Sequence, residues 1–317
     1  MDYLYLVLGL VVLVIGGEAA LRGAVGLAQA LGVSAAIIGL TVMGFGTSAP
    51  ELVVTVRAAL DGNVDIGVGN IVGSNIANSL LILGIGALIC PLFCDPRAVR
   101  RDGAVMVLAM TAFCLISLTG EIQQWQGSVM VASLVAFIVW SYFHDKKYHD
   151  PAAALHEDFA KETPGVSTNK LHITLYLIVG LAGLSVGADL MVNSAVRIAE
   201  RAGLPQSIIG LTIVAFGTSL PELGATAIAA WRRHADIAVA SVLGSNIFNI
   251  LGVLGVGALV TPLSIAPNIA NLDQWIMLAA TMLLMPVIIS GWRIDRREGF
   301  VLFALYLAYV SSMAFRV

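Results

Sequence analysis

Two short stretches of this chain place carboxylate, hydroxyl and carbonyl oxygens within a few residues of each other. Gly44 to Glu51 reads GFGTSAPE, and Ala215 to Glu222 reads AFGTSLPE. Each sits inside a long apolar run. Pro50 lacks an N–H and conflicts with the carbonyl of Gly46, four residues back. Gly44 and Gly46 loosen the same turn. The expectation is a helix broken near its middle, with freed carbonyls beside the Thr47 and Ser48 hydroxyls and the Glu51 carboxylate. Thr218, Ser219, Pro221 and Glu222 repeat the arrangement. A glutamate inside a membrane is costly and faces the protein interior or an ion path. Hard oxygen donors of these kinds suit Ca2+ or Na+. A soft-metal site would need Cys, His or Met at ligand spacing, and that pattern is missing from the sequence.

A second pair of motifs follows each of these. Gly73-Ser74-Asn75-Ile76-Ala77-Asn78 matches Gly244-Ser245-Asn246-Ile247-Phe248-Asn249. Ser74 and Asn78 share one helix face, as do Ser245 and Asn249. Gly73 and Gly244 would allow close approach to a neighbouring helix. The plain alternative for the Ser and Asn side chains is hydrogen bonding between helices. For Glu51 and Glu222 it is a buried structural carboxylate.

Both motif pairs repeat at an offset of 171 residues, in register and without a gap from Asp65 and Asp236 onward. The same offset pairs Glu18 with Asp189. Apolar similarity alone could match Leu with Val, but not two polar motifs at one spacing.

The elements that carry these motifs must be membrane helices. Of 317 residues, 58% are hydrophobic and only 12% charged, against about a quarter charged in soluble domains. Runs of about 20 apolar residues mark spanning helices. Ten are expected, near 3–27, 33–60, 65–89, 102–119, 126–143, 171–199, 205–231, 236–260, 272–291 and 298–316. The fold class is therefore all-α membrane protein. Residues 1–143 form a first five-helix repeat, 144–170 a polar cytoplasmic linker and 171–317 a second five-helix repeat. The start Met1-Asp2-Tyr3 lacks the basic region of a secretory signal, so the first apolar stretch is read as a retained helix.

Five is odd, so the second repeat enters the membrane from the opposite side. This is an inverted-topology repeat, whose substrate site forms near the midplane where the copies meet. With the N-terminus outside, inner helix ends collect thirteen basic residues, among them Arg22, Arg97, Arg100, Arg101, Arg232 and Arg293. Outer ends collect four: Arg57, Arg197, Arg201 and Arg316. That positive-inside bias puts both termini outside the cytoplasm. The expected location is the cell (inner) membrane.

Other classes lose ground on the same residues. No basic tract or aromatic-basic stripe suggests nucleic acid. Cys90, Cys94 and Cys114 lack a His or further Cys to complete a metal set, so they read as small apolar residues. Ser48 and Ser219 have no sequence-near His or Lys to act as base, so no enzyme activity and no cofactor are expected. Glu18 with Arg22 reads as a helix ion pair, with ion access as the alternative. Asp65 and Asp236 read as acids at the positive ends of helices.

GTSAPE and GTSLPE, each followed by GSNIxN, resemble the two alpha-repeats of the sodium/calcium exchangers in the cation/calcium antiporter superfamily, in a prokaryotic form. The resemblance covers both repeats and hence most of the chain. It implies coordination of transported Ca2+ and Na+ by Thr47, Ser48, Glu51, Ser74 and Asn78 with Thr218, Ser219, Glu222, Ser245 and Asn249. Backbone carbonyls of Gly44 and Ala215 would contribute. Several family members carry aspartate where this chain has Asn249, so two formal charges remain and a potassium-dependent subtype is disfavoured. The large cytoplasmic insert of animal exchangers is absent from 144–170.

The implied function is antiport of Ca2+ against Na+ by a protein acting as a monomer. An empty site of charge near −2 is costly to occlude in low dielectric, whereas one Ca2+ or two Na+ cancel it. A proton-coupled cation antiporter and a cation channel are the competing readings.

Overall fold

The computed structural model describes residues 2–62, 64–148, 169–201 and 217–314. Helix α1 (Asp2–Leu31) is followed by α2 (Ala35–Thr47) and α3 (Ala49–Leu60), then by α4 (Val64–Ile89). After strand β1 (Leu92–Phe93) come α5 (Pro96–Ser117), β2 (Glu121–Ile122) and α6 (Gln124–Tyr148). The second half runs through α7 (Lys170–Arg201), α8 (Leu220–Trp231) and α9 (Ala235–Val260). Strand β3 (Leu263–Ser264), α10 (Ile269–Gly291), β4 (Arg293–Ile294) and α11 (Arg296–Ala314) complete it.

Among the described residues, six helices are long and apolar enough to cross a bilayer: α1, α4, α6, α7, α9 and α10. The α2–α3 pair, bent by 43°, makes a seventh if it counts as one span. The expected spans near 102–119 and 298–316 correspond to α5 and α11. The charged residues crowd their N-terminal ends, Arg97, Arg100, Arg101 and Asp102 in α5 and Arg296, Arg297 and Glu298 in α11. Of the span expected at 205–231, the described part is α8. Most of the linker expected at 144–170 lies outside the described residues.

Burial separates core helices from peripheral ones. The apolar windows of α4 and α9 are 83% and 100% buried, those of α1 and α7 only 33% and 22%. Helices apolar on every side are those enclosed by protein or lipid. α4 and α9 are enclosed by protein. α1 and α7 instead expose Val7, Val11 and Ile15 and Leu171, Leu175 and Ile178, a surface suited to hydrocarbon. The two run antiparallel in close contact. A Cβ on Gly180 would fall 2.2 Å from the Ala20 nitrogen, so only glycine permits this approach.

Short strands tie the halves together at both ends. Leu92 pairs with Ile294 and Phe93 with Arg293. Glu121 pairs with Ser264 and Ile122 with Leu263. β3 lies 171 residues after β1, the offset found in the sequence. α5 runs from β1 to β2, and its 22 residues give a length of about 33 Å. The two strand pairs therefore sit at opposite ends of the bundle.

Ion pairs pin the helix ends. Asp2 accepts from Arg197 Nε at 2.8 Å and also pairs with Arg201. Glu18 pairs with Arg22 at 2.9 Å, as the sequence suggests, and additionally with Arg232, directly after α8, at 2.8 Å. Its sequence match Asp189 is exposed. Asp65 and Asp236 stand in the first turns of their helices. At the start of α11, the backbone N–H groups of Glu298 and Arg297 hold the Asp295 carboxyl below the usual carboxylate range. All three cysteines are unpaired thiols.

Candidate functional site

The break in the second helix falls at Ser48. Its backbone angles of −83° and 6° interrupt the helix between α2 and α3, and Pro50 occupies the first turn of α3. A proline there loses no hydrogen bond, because the first N–H groups of a helix have no intrahelical partner. The clash expected with the Gly46 carbonyl is avoided because the helix has already ended. Ser219 adopts −88° and 4°, and Pro221 opens α8 in the same way. Glu51 and Glu222 thus each stand in the first turn of a helix, where the macrodipole favours negative charge.

The two broken elements meet across the interior. Ser48 Oγ donates to Glu222 Oε1 at 3.1 Å. Glu51 and Glu222 lie within electrostatic range of each other. The Ser74 hydroxyl lies beside the Glu51 carboxyl without forming a hydrogen bond of ordinary geometry. Thr47 Oγ1 stands 3.3 Å from Ser245 Oγ. All of these side chains are buried.

Close approach of α2 to α9 makes this possible. A Cβ on Gly244 would lie 2.1 Å from the Leu40 carbonyl oxygen, and one on Gly44 would lie 2.9 Å from Gly244 and Ser245 backbone atoms. Gly244 thereby does what its motif suggests. Among the described residues, no atom lies within 4 Å of a Cβ placed on Gly73.

Two expected donors differ from the sequence reading. The Gly44 carbonyl is engaged rather than free: it accepts from Ser48 N at 3.2 Å, from Ser245 Oγ at 3.3 Å and, at 3.4 Å, from Thr47 Oγ1. Thr218 Oγ1 donates to Asn70 Oδ1 at 3.2 Å, a partner from α4 that the motif does not reveal. Ala215 lies outside the described residues.

Asn78 and Asn249 occupy stretches where the helix widens to π-type hydrogen bonding, Ala77–Ile82 and Phe248–Leu254. Such widenings recur at functional sites. Asn78 Nδ2 donates to Asn246 Oδ1 at 3.1 Å, and Asn249 Nδ2 to Asn75 Oδ1 at 3.1 Å. The interhelical hydrogen bonding weighed as an alternative is therefore present. It uses only the N–H side of each amide.

What remains is a set of oxygens with nothing to bond. Among the buried side-chain oxygens without a hydrogen-bond partner in the described residues, seven stand on motif residues, Glu51 Oε1 and Oε2, Ser74 Oγ, Asn78 Oδ1, Ser219 Oγ, Glu222 Oε2 and Asn249 Oδ1, while Ser141 Oγ and Thr226 Oγ1 lie outside the motifs. An unsatisfied buried polar atom costs about 1–3 kcal/mol, more when charged. Seven of them on six motif residues call for a counter-charge or a ligand. Among the described residues there is no group of three or more His, Cys, Asp or Glu that could hold a metal.

Sequence reasoning passed over Asn75, Asn246 and Asn70. Asn75 and Asn246 stand inside the quoted GSN motifs, and their exact match at 171 residues was the available signal.

Comparison with known proteins follows this geometry. The family model described as "Sodium/calcium exchanger protein" matches residues 1–143 and 172–315. The chain is 36% identical over 309 residues to the putative antiporter CaxA of Alkalimonas amylolytica, covering 96% of each. It is 33% identical to the sodium/calcium exchanger MaX1 of Methanosarcina acetivorans, covering 98% of this chain and 97% of that protein. A structure of the sodium-calcium exchanger NCX_Mj, soaked with 10 mM Na+, superposes with a TM-score of 0.84 at 30% identity, covering 98% of both chains.

Proposed function

The chain belongs to the sodium/calcium exchanger protein family, and from that premise we propose that it exchanges Ca2+ for Na+ by alternating access at one shared midplane site. The observation that carries this reading is the set of seven partnerless buried oxygens on Glu51, Ser74, Asn78, Ser219, Glu222 and Asn249. Ca2+ takes 6–8 oxygen ligands, and this set is of that kind and size. Both halves of the chain contribute to it. Thr47, Ser48, Thr218, Ser245 and the carbonyls of Gly44 and Ala215 complete the ligand set that the family resemblance implies.

The charge of the site supplies the coupling. Glu51 and Glu222 bring two formal charges into a buried setting. Ca2+ or Na+ would neutralise them, so a loaded site can be occluded and an empty one resists it. Competition of the two cations for the same oxygens then makes transport an exchange.

Ten membrane crossings in two inverted five-helix repeats fit the geometry. The strand pairs β1–β4 and β2–β3, at opposite ends of the bundle, correspond to each other under the repeat offset, β1 to β3 and, within one residue, β2 to β4. Asp2 meets Arg197, and Glu18 meets Arg232, pairs that are consistent with alternating crossings. The protein then resides in the cell (inner) membrane with both termini outside and the 144–170 linker in the cytoplasm. One chain contains both halves of the site, so the monomer suffices.

The test is uptake of radioactive Ca2+ into proteoliposomes under an outward gradient of Na+, of K+ or of protons in turn. Na+-loaded vesicles are expected to accumulate Ca2+. Accumulation driven by the proton gradient alone would transfer the reading to a proton-coupled antiporter, and current without a counter-ion to a channel.

A further inference from the structure

Asn78 and Asn249 can serve a cation only if their amide oxygens, and not their N–H groups, face it. A primary amide is nearly symmetric in shape, so something must choose the orientation. The choice is made by asparagines of the opposite half. Asn246 Oδ1 accepts from Asn78 Nδ2, and Asn75 Oδ1 accepts from Asn249 Nδ2, both at 3.1 Å. Asn75 and Asn246 are themselves oriented. Asn246 Nδ2 donates to Met106 Sδ at 3.5 Å and to Ser79 Oγ at 3.0 Å. Asn75 Nδ2 donates to Met277 Sδ at 3.8 Å and to the Asn246 carbonyl at 3.5 Å. A thioether sulfur accepts and cannot donate. Reversing Asn75 or Asn246 would set oxygen against sulfur, and reversing Asn78 or Asn249 would set oxygen against oxygen. Met106 and Met277 are 171 residues apart, as are Asn75 and Asn246, so the same relay is built twice.

We infer that Asn75 and Asn246 are positioning residues that aim the amide oxygens of Asn249 and Asn78 at the cation, each acting on the opposite half of the chain. This inference rests on the ligand reading above. Groups that orient metal ligands typically change affinity by about 10- to 100-fold when removed. Because each bond crosses between the halves, the relay also makes the two asparagine ligands dependent on correct docking of α4 against α9.

A substitution cycle separates positioning from mere packing. Asn75→Leu removes the acceptor and frees the Asn249 amide to turn. It is expected to raise the Ca2+ KM about 10- to 100-fold with little change in maximal rate. In an Asn249→Asp background the same Asn75→Leu should add almost nothing, because a carboxylate presents oxygen whichever way it turns. Equal increases in both backgrounds would overturn the inference and leave Asn75 a packing residue. If Asn75→Leu is not recovered as a monodisperse protein, the mirror cycle of Asn246→Leu with Asn78→Asp decides on the same criterion. Unchanged KM in both Asn78→Ala and Asn249→Ala would instead remove the ligand premise, and the inference with it.

Discussion

Ser48 Oγ donates a hydrogen bond to Glu222 Oε1 across 3.1 Å, although the two residues stand 174 positions apart. One motif copy thus supplies the hydroxyl and the other the carboxylate. Each copy alone holds an incomplete set of partners.

Ser48→Ala removes that donor from Glu222 Oε1. A hydrogen bond to a charged group contributes about 1.5–3 kcal/mol. Ca2+ uptake kinetics should show an altered KM by about tenfold or more, with Ser48→Thr closer to wild type because it retains the hydroxyl. Wild-type kinetics in Ser48→Ala would detach this bond from function.

Gly244→Ala tests the close approach of α2 and α9. Its Cβ would meet the Leu40 carbonyl oxygen at 2.1 Å, so the backbones must separate. Overpacking of this sort costs about 1–3 kcal/mol, and the thermal midpoint in detergent should fall. Gly69→Ala is the control, since its Cβ meets only Ile269 Cδ1 at 3.6 Å. Alanine's better helix propensity should leave that variant at least as stable as wild type.

Glu18→Gln addresses the ion pairs to Arg22 and Arg232. Their guanidinium side chains are 32% and 50% exposed, and partly exposed pairs contribute about 0.2–1 kcal/mol each. The expected outcome is a small drop in thermal midpoint with Ca2+ uptake retained. Loss of uptake at unchanged stability would assign Glu18 to the ion path instead.

Much of this site was legible because its chemistry is expensive. A glutamate in an apolar run beside Gly and Pro needs a reason, and Glu51 and Glu222 each stand where a helix has been broken and restarted. The location of the break was less legible. Pro50 pointed to a strained turn at Gly46, whereas Ser48 absorbs the change and lets the proline open the next helix. Asn75 and Asn246 were hidden because a polar residue one position before an apolar one reads as ordinary packing. Only the long-range docking of α4 on α9 reveals what they touch. Arg232 as a second partner of Glu18 was hidden for the same reason, since local spacing offered Arg22 and nothing else.

Equilibrium binding of radioactive Ca2+ to the purified protein most directly tests whether Glu51 and Glu222 form one site. One saturable class displaced by Na+ is expected, lost in Glu51→Gln and equally lost in Glu222→Gln. If each single variant instead kept half of the wild-type capacity, the two motifs would be independent sites, contradicting the shared one.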